Sequence, residues 1–167
     1  FDKRTSLKPL EHPELYGFVD AIDHSYWLFS EYSYDSDIHD FHVNLSEIER
    51  SAVTNSMLAI SQIEINVKRF WANLYNQLPK PEFDSLGCTF ASSEVRHMRA
   101  YSHLLELLGL NDKFEKLIEN PVIQGRIDYL TKYLKNTGET NKELYTLSLV
   151  LFSLFIENCS LLSKILI

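Results

Sequence analysis

The 167 residues include only five glycines and five prolines, about 6% together where roughly 12% is usual, so the chain is built from long elements joined by few turns. Apolar residues make up 45% and charged residues 23%, which excludes collagen-like, disordered and disulfide-framework classes and leaves a globular chain able to bury a sizeable core. Sixteen Lys and Arg against 23 Asp and Glu give a formal charge of -7, so there is no broad electrostatic footprint for nucleic acid, and an acidic membrane surface is an unfavourable partner.

Cys88 and Cys159 stand in no metal-type spacing and read as reduced, buried thiols of a cytoplasmic protein. Phe1-Asp2-Lys3-Arg4 is not followed by an apolar stretch with a small-residue cleavage site, so no signal peptide is read there. Residues 144–167 are apolar enough to raise a membrane span, but Glu157, Asn158 and Lys164 interrupt them, which favours a buried helix. The chain starts without Met and stops inside that apolar run. It is expected to be one helical domain over residues 1–167, cut short at its C-terminal end.

In chain order, residues 1–45 are aromatic-rich and irregular, a short helix and then a loop. Asn44 or Ser46 can cap a long helix reaching about residue 77, because Val53, Met57, Ile60, Val67 and Trp71 recur at three- or four-residue steps. The one gap in that stripe is filled by Glu64. Pro79-Lys80-Pro81 breaks the pattern, and a second helix is expected over residues 89–108, ended by Gly109. Residues 111–119 and 121–134 read as two shorter helices, the latter with Pro121 in its first turn. From residue 142 to the end runs the most apolar helix, expected to be buried nearly all round. With no repeat and no alternating strand pattern, the fold is all-α, a helical bundle.

Chemistry concentrates on three of these helices. Glu94 and His97 form Glu-x-x-His, with Tyr101 four residues on, and at 100° per residue the three lie within about 60° of one another. A carboxylate and an imidazole three apart can bind one metal ion, although a surface ion pair explains the same spacing. Glu64 interrupts an apolar stripe, where a lone carboxylate is costly; reaching out to Lys68 is the ordinary alternative. Glu157 sits between Leu154-Phe155-Ile156 and Cys159-Ser160-Leu161 and should be protonated or rest on a cation. Taken together, the three carboxylates and His97 make most of a ferritin-like dinuclear site, in which two helices give one Glu each and two others give Glu-x-x-His. The second such pair is not in this chain.

With those residues in place, the chain resembles the small, radical-generating subunit of class I ribonucleotide reductase. Four blocks carry the resemblance: Tyr26-Trp27-Leu28-Phe29-Ser30-Glu31-Tyr32, Leu58-Ala59-Ile60-Ser61-Gln62-Ile63-Glu64, Phe90-Ala91-Ser92-Ser93-Glu94-Val95-Arg96-His97 and Leu151-Phe152-Ser153-Leu154-Phe155-Ile156-Glu157. They stand in family order and correspond to roughly the N-terminal half of such a subunit. The resemblance implies that Glu64, Glu94, His97 and Glu157 are ligands of a dinuclear Fe/Fe, Mn/Fe or Mn/Mn centre that activates dioxygen, that Tyr101 stores the radical, and that Trp27 passes it toward the large catalytic subunit. There ribonucleotides become deoxyribonucleotides. A homodimer, and activation by dioxygen or by a partner flavoprotein, are implied on the same ground.

Some residues depart from the family pattern. The first ligand is most often Asp, and here it is Glu64; relatives with Glu include some that use manganese with iron. Some relatives replace the tyrosine by Phe and keep the oxidising equivalent on the metals, and Lys164 is an odd charge for this helix. Other readings stay open from the residues alone. Tyr101 could be a core phenol and Trp27 a packing anchor. A related ligand-binding oxidase would keep the metals and add an apolar cavity, and a metal-free helical interaction module would satisfy the carboxylates with Lys, Arg or water. His12, His24, His39, His42 and His103 match no ligand spacing and read as surface residues.

Overall fold

The computed structural model describes residues 1–136 and 141–154, and among these no residue lies in a strand. Helix α1 (Leu15–His24) is followed by one 3-10 turn at Phe29–Glu31 and by α2 (Asp35–His39), which runs into a π-helical turn at Asp40–Asn44. Then come α3 (Glu47–Ala72), α4 (Leu74–Gln77), α5 (Pro81–Leu107), α6 (Lys113–Ile118), α7 (Pro121–Asn136) and α8 (Lys142–Leu151). The first 45 residues are therefore more helical than the single short helix expected.

The two longest helices have well-defined ends. Ser46 opens α3 with a capping box: its Oγ accepts from the Glu49 amide, and the Glu49 carboxylate accepts at 2.8 Å from the Ser46 amide. The expected run to residue 77 is interrupted at Asn73, where the backbone leaves helical geometry before α4 restarts. Helix α5 begins at Pro81, not at residue 89, because a proline that breaks the preceding segment also fits the first turn of the next helix, where no amide partner is needed. Its C-terminus is a Schellman motif. Gly109 adopts φ 68°, its amide bonds the Glu106 carbonyl, and the Leu110 amide bonds the Leu105 carbonyl at 2.9 Å.

Helices α3 and α5 pack antiparallel as the principal pair. At one end Ile63, Val67, Phe70, Trp71 and Leu74 meet Leu86, with Phe83, Phe90 and Ala91 alongside; at the other Leu58 meets Leu105, Leu108 and Leu110 under Phe41. The approach at the first end is close: a Cβ on Gly87 would lie 2.6 Å from the Trp71 carbonyl oxygen. Phe152, just past α8, stacks on Phe70 with ring centroids 3.8 Å apart. Helix α8 is not buried all round as expected, since Leu147 and Val150 face outward at 53% and 46% exposure, as does Leu154 just beyond it at 56%. A continuous apolar run says that a helix is apolar, and leaves open which of its faces is covered. No described helix is long and apolar enough to cross a membrane.

A strap formed by the N-terminal segment fixes the start of α5. Glu82, fully buried, pairs with Arg4 and accepts from the backbone amide of Glu11 at 2.8 Å, while Lys80 pairs with Glu11. Burial works to raise the Glu82 carboxyl, but hydrogen bonds from its own amide and those of Glu11 and His12, with Arg4, outweigh it and hold the group at about 2. Three expectations fail at the surface, one of them at His12, which is half-buried against the Phe83 ring at 5.2 Å. Cys88 is exposed, one turn from Asp84 on the outer side of α5. His103 is half-buried, packed on the rings of Phe29 and Tyr34 at 4.8 and 5.6 Å.

Candidate metal centre

The stretch of α3 and α5 between the two apolar clusters carries the polar residues. Glu64 occupies the buried stripe of α3 at 2% exposure, and Glu94 faces it from α5 at 5%. One turn on, His97 brings Nδ1 to 2.9 Å from Oε2 of Glu94 and 3.9 Å from Oε1 of Glu64. One ligand atom from each of the three lies within 4.8 Å of the others. Two carboxylates drawn together in an apolar interior repel one another unless a proton or a cation joins them. Hard oxygen donors with an imidazole suit iron or manganese, so the donor chemistry fits a metal ion of that kind.

Burial pushes the Glu94 carboxyl up, yet hydrogen bonding to His97 and to Glu64, with the charges of His97 and Arg96, leaves it below the ordinary range. Tyr101, half-buried on the same face of α5, moves the other way: burial and the negative charges of Glu64 and Glu94 raise its phenol. Tyr101 is therefore held as a neutral phenol beside an anionic pair.

The segment after α1 packs on His97, whose side chain stays 36% exposed. Trp27 stacks on the imidazole with ring centroids 6.0 Å apart and planes 22° apart. The segment is held by the 3-10 turn, in which the Glu31 amide bonds the Leu28 carbonyl at 3.0 Å, and by Arg96, whose guanidinium lies 4.6 Å over the Tyr26 ring. Tyr32 meets the other side of the loop, edge-on to Trp27 at 6.2 Å.

Of the six residues singled out in the sequence, Glu64, Glu94 and His97 converge, Trp27 lies on His97, and Tyr101 shares the electrostatics of the carboxylates. Glu157 lies outside the described residues, as does Cys159. The clasp of Arg96 on Tyr26 and the contact of Tyr32 with Trp27 were not singled out; the only signal for them is the density of aromatics in 26–34 beside a cation next to His97. A hollow of about 770 Å³ lined by Phe41, Arg50, Thr54, Leu58, Leu108 and Lys113 lies at the far end of the α3/α5 pair and includes none of the converging residues.

Buried carboxylates and an imidazole meeting between antiparallel helices define a carboxylate-histidine site of the kind built inside helical bundles. Residues 4–167 match the family model for the ribonucleotide reductase small chain, and the chain belongs to that family, with its all-α, ferritin-like fold. It is 27% identical over 175 residues to "Probable ribonucleoside-diphosphate reductase small subunit 048L" of Invertebrate iridescent virus 3, covering 96% of this chain and 46% of that protein. It is 30% identical over 172 residues to "Probable ribonucleoside-diphosphate reductase small subunit 376L" of Invertebrate iridescent virus 6, covering 96% and 48%. The chain thus spans about half the length of these curated relatives.

Proposed function

We propose that this chain is the N-terminal part of a class I ribonucleoside-diphosphate reductase small subunit, the oxidoreductase component that generates a radical and passes it to a large catalytic subunit. The observation that carries the reading is the convergence of Glu64, Glu94 and His97 from two helices, with Trp27 stacked on the His97 ring. Family membership supports it.

In this reading Glu64, Glu94 and His97, with Glu157, hold a dinuclear centre of iron, manganese or both. When bound, the centre supplies one-electron oxidising power drawn from dioxygen, directly or through an activating flavoprotein. The residues of the chain do the rest. The carboxylates balance the charge of the ions, and His97 offers Nδ1, the ring atom that faces both of them. Apolar clusters flank the carboxylates, and the burial of Glu64 and Glu94 at 2% and 5% exposure strengthens these interactions. Tyr101 keeps its proton until it is oxidised, so loss of its electron is tied to loss of that proton. Trp27 gives the stored equivalent a way out toward the large subunit, where the ribonucleotide is reduced. A cytoplasmic homodimer is the assembly proposed.

Metal analysis of the full-length protein tests the reading. Wild type is expected to load a dinuclear centre, and Glu94→Ala and Glu157→Ala to lose it with helix content unchanged. Unaltered occupancy in either variant would remove that residue from the ligand set, and a wild type that takes up no iron or manganese would leave a metal-free helical module.

A further inference from the structure

Resting on the reading of Trp27 as the outlet of the centre, we propose that Tyr32 is the next oxidisable residue, a phenolic relay that carries the oxidising equivalent from the half-buried indole to the protein surface. The rings of His97, Trp27 and Tyr32 form a continuous series, stacked at 6.0 Å and then edge-on at 6.2 Å. Tyr32 is 57% exposed, so the series ends in solvent.

Three aromatic residues could compete for the equivalent leaving Trp27, and their surroundings disfavour each. Tyr26 is adjacent in sequence and equally exposed, but the Arg96 guanidinium lies over its ring at 4.6 Å, and a cation there opposes withdrawal of an electron from that ring. Tyr34 is half-buried and donates its hydroxyl proton to the Phe29 carbonyl at 3.0 Å, so its proton has no open route to water. Phe29 has no phenolic proton to release. Among the described residues no cation lies over the Tyr32 ring and none is hydrogen-bonded to its hydroxyl.

The transfer balances. One electron passes from the Tyr32 phenol to the oxidised Trp27, and the phenolic proton goes to water. The indole, which lost its N–H proton on oxidation, recovers a proton from water, leaving a closed-shell Trp27 and a neutral phenoxyl on Tyr32. This places the radical on the outer face of the 26–32 loop, where a partner protein presenting its own oxidisable side chain can take it up.

The test needs no metal, so its outcome is separate from that of the metal reading. Full-length protein stripped of metal is exposed to azidyl radicals in pulse radiolysis, which oxidise indole in preference to phenol, and the indolyl and phenoxyl absorptions are followed. Wild type is expected to show a phase, independent of protein concentration, in which indolyl decays as phenoxyl grows. Tyr32→Phe and Trp27→Phe should lose that phase, and Tyr26→Phe should keep it. Absence of the phase in wild type, its persistence in Tyr32→Phe or Trp27→Phe, or its loss in Tyr26→Phe overturns the proposal. The exposure of Tyr32 makes Phe a mild change there, and unchanged far-UV circular dichroism verifies the fold.

Discussion

His97 lies between two kinds of neighbour: Nδ1 faces the carboxylates of Glu64 and Glu94, and the ring itself lies against the Trp27 indole at 6.0 Å. A single side chain from α5 thus touches both the buried anionic pair and the loop that follows α1. Under the proposed function, Trp27 is the ring through which an oxidising equivalent would pass from His97 to the surface loop. Trp27→Phe is expected to leave metal loading and the Tyr101 signal intact and to abolish turnover with the large subunit. Steady-state assays of the reconstituted pair, beside metal analysis, check this, and normal turnover would return Trp27 to a packing role.

If the carboxylate pair serves a cation, as proposed, it does so at the expense of the metal-free fold. Glu64→Gln keeps the shape of the side chain and removes a buried acid at 2% exposure. It is expected to stabilise the metal-free protein by about 1 kcal/mol, roughly 2–4 °C in melting temperature for a chain of this size, while lowering metal occupancy. Thermal melts with and without chelator measure both effects. A variant that melts lower in chelator would mean that Glu64 serves the apo fold.

Acid should release the N-terminal strap. Glu82 sits at about 2 against an ordinary 4.5, so its contribution to stability is fully present above 4.5 and is lost as pH falls from there through about 2. Arg4→Ala removes a partner of the folded carboxylate, which raises the folded value and shifts the acid unfolding midpoint to higher pH. Circular dichroism against pH reads the shift, and an unmoved midpoint would contradict the role given to the Arg4 pair.

Gly87 permits the close crossing of α5 over the junction of α3 and α4. Gly87→Ala places a Cβ 2.6 Å from the Trp71 carbonyl and 3.0 Å from Leu74 Cβ, and is expected to destabilise by about 1–3 kcal/mol. Urea denaturation at neutral pH measures it. An unchanged midpoint would mean that the crossing relaxes at little cost.

The helices and the faces that carry Glu64, Glu94 and His97 were legible for a physical reason: both depend on local spacing. Apolar residues at three- and four-residue steps mark α3, and Glu64 stands out only because it interrupts them; Glu94, His97 and Tyr101 share a face by helix geometry alone. What escaped depends on partners distant in sequence. Glu82 looks like a solvated first-turn acid, and its burial follows from Arg4 and from backbone amides some 70 residues away. The early start of α5 was hidden because Ser85 and Gly87, poor helix formers, follow Pro81 and mask the helical spacing of Phe83, Leu86 and Phe90, and the exposed face of α8 because a uniformly apolar run has no periodicity to show which side is covered. Tyr32 and the Arg96 clasp depend on how the 26–34 loop folds back on α5, which no periodicity encodes.

Electron paramagnetic resonance tests the central claim most directly. Full-length protein is loaded anaerobically with iron, manganese or both, exposed to oxygen and compared with Tyr101→Phe. The account predicts a tyrosyl signal in wild type that disappears in the variant while the metals remain bound. A metal-centred signal indifferent to Tyr101, or no radical in protein carrying its full complement of metal, would contradict it.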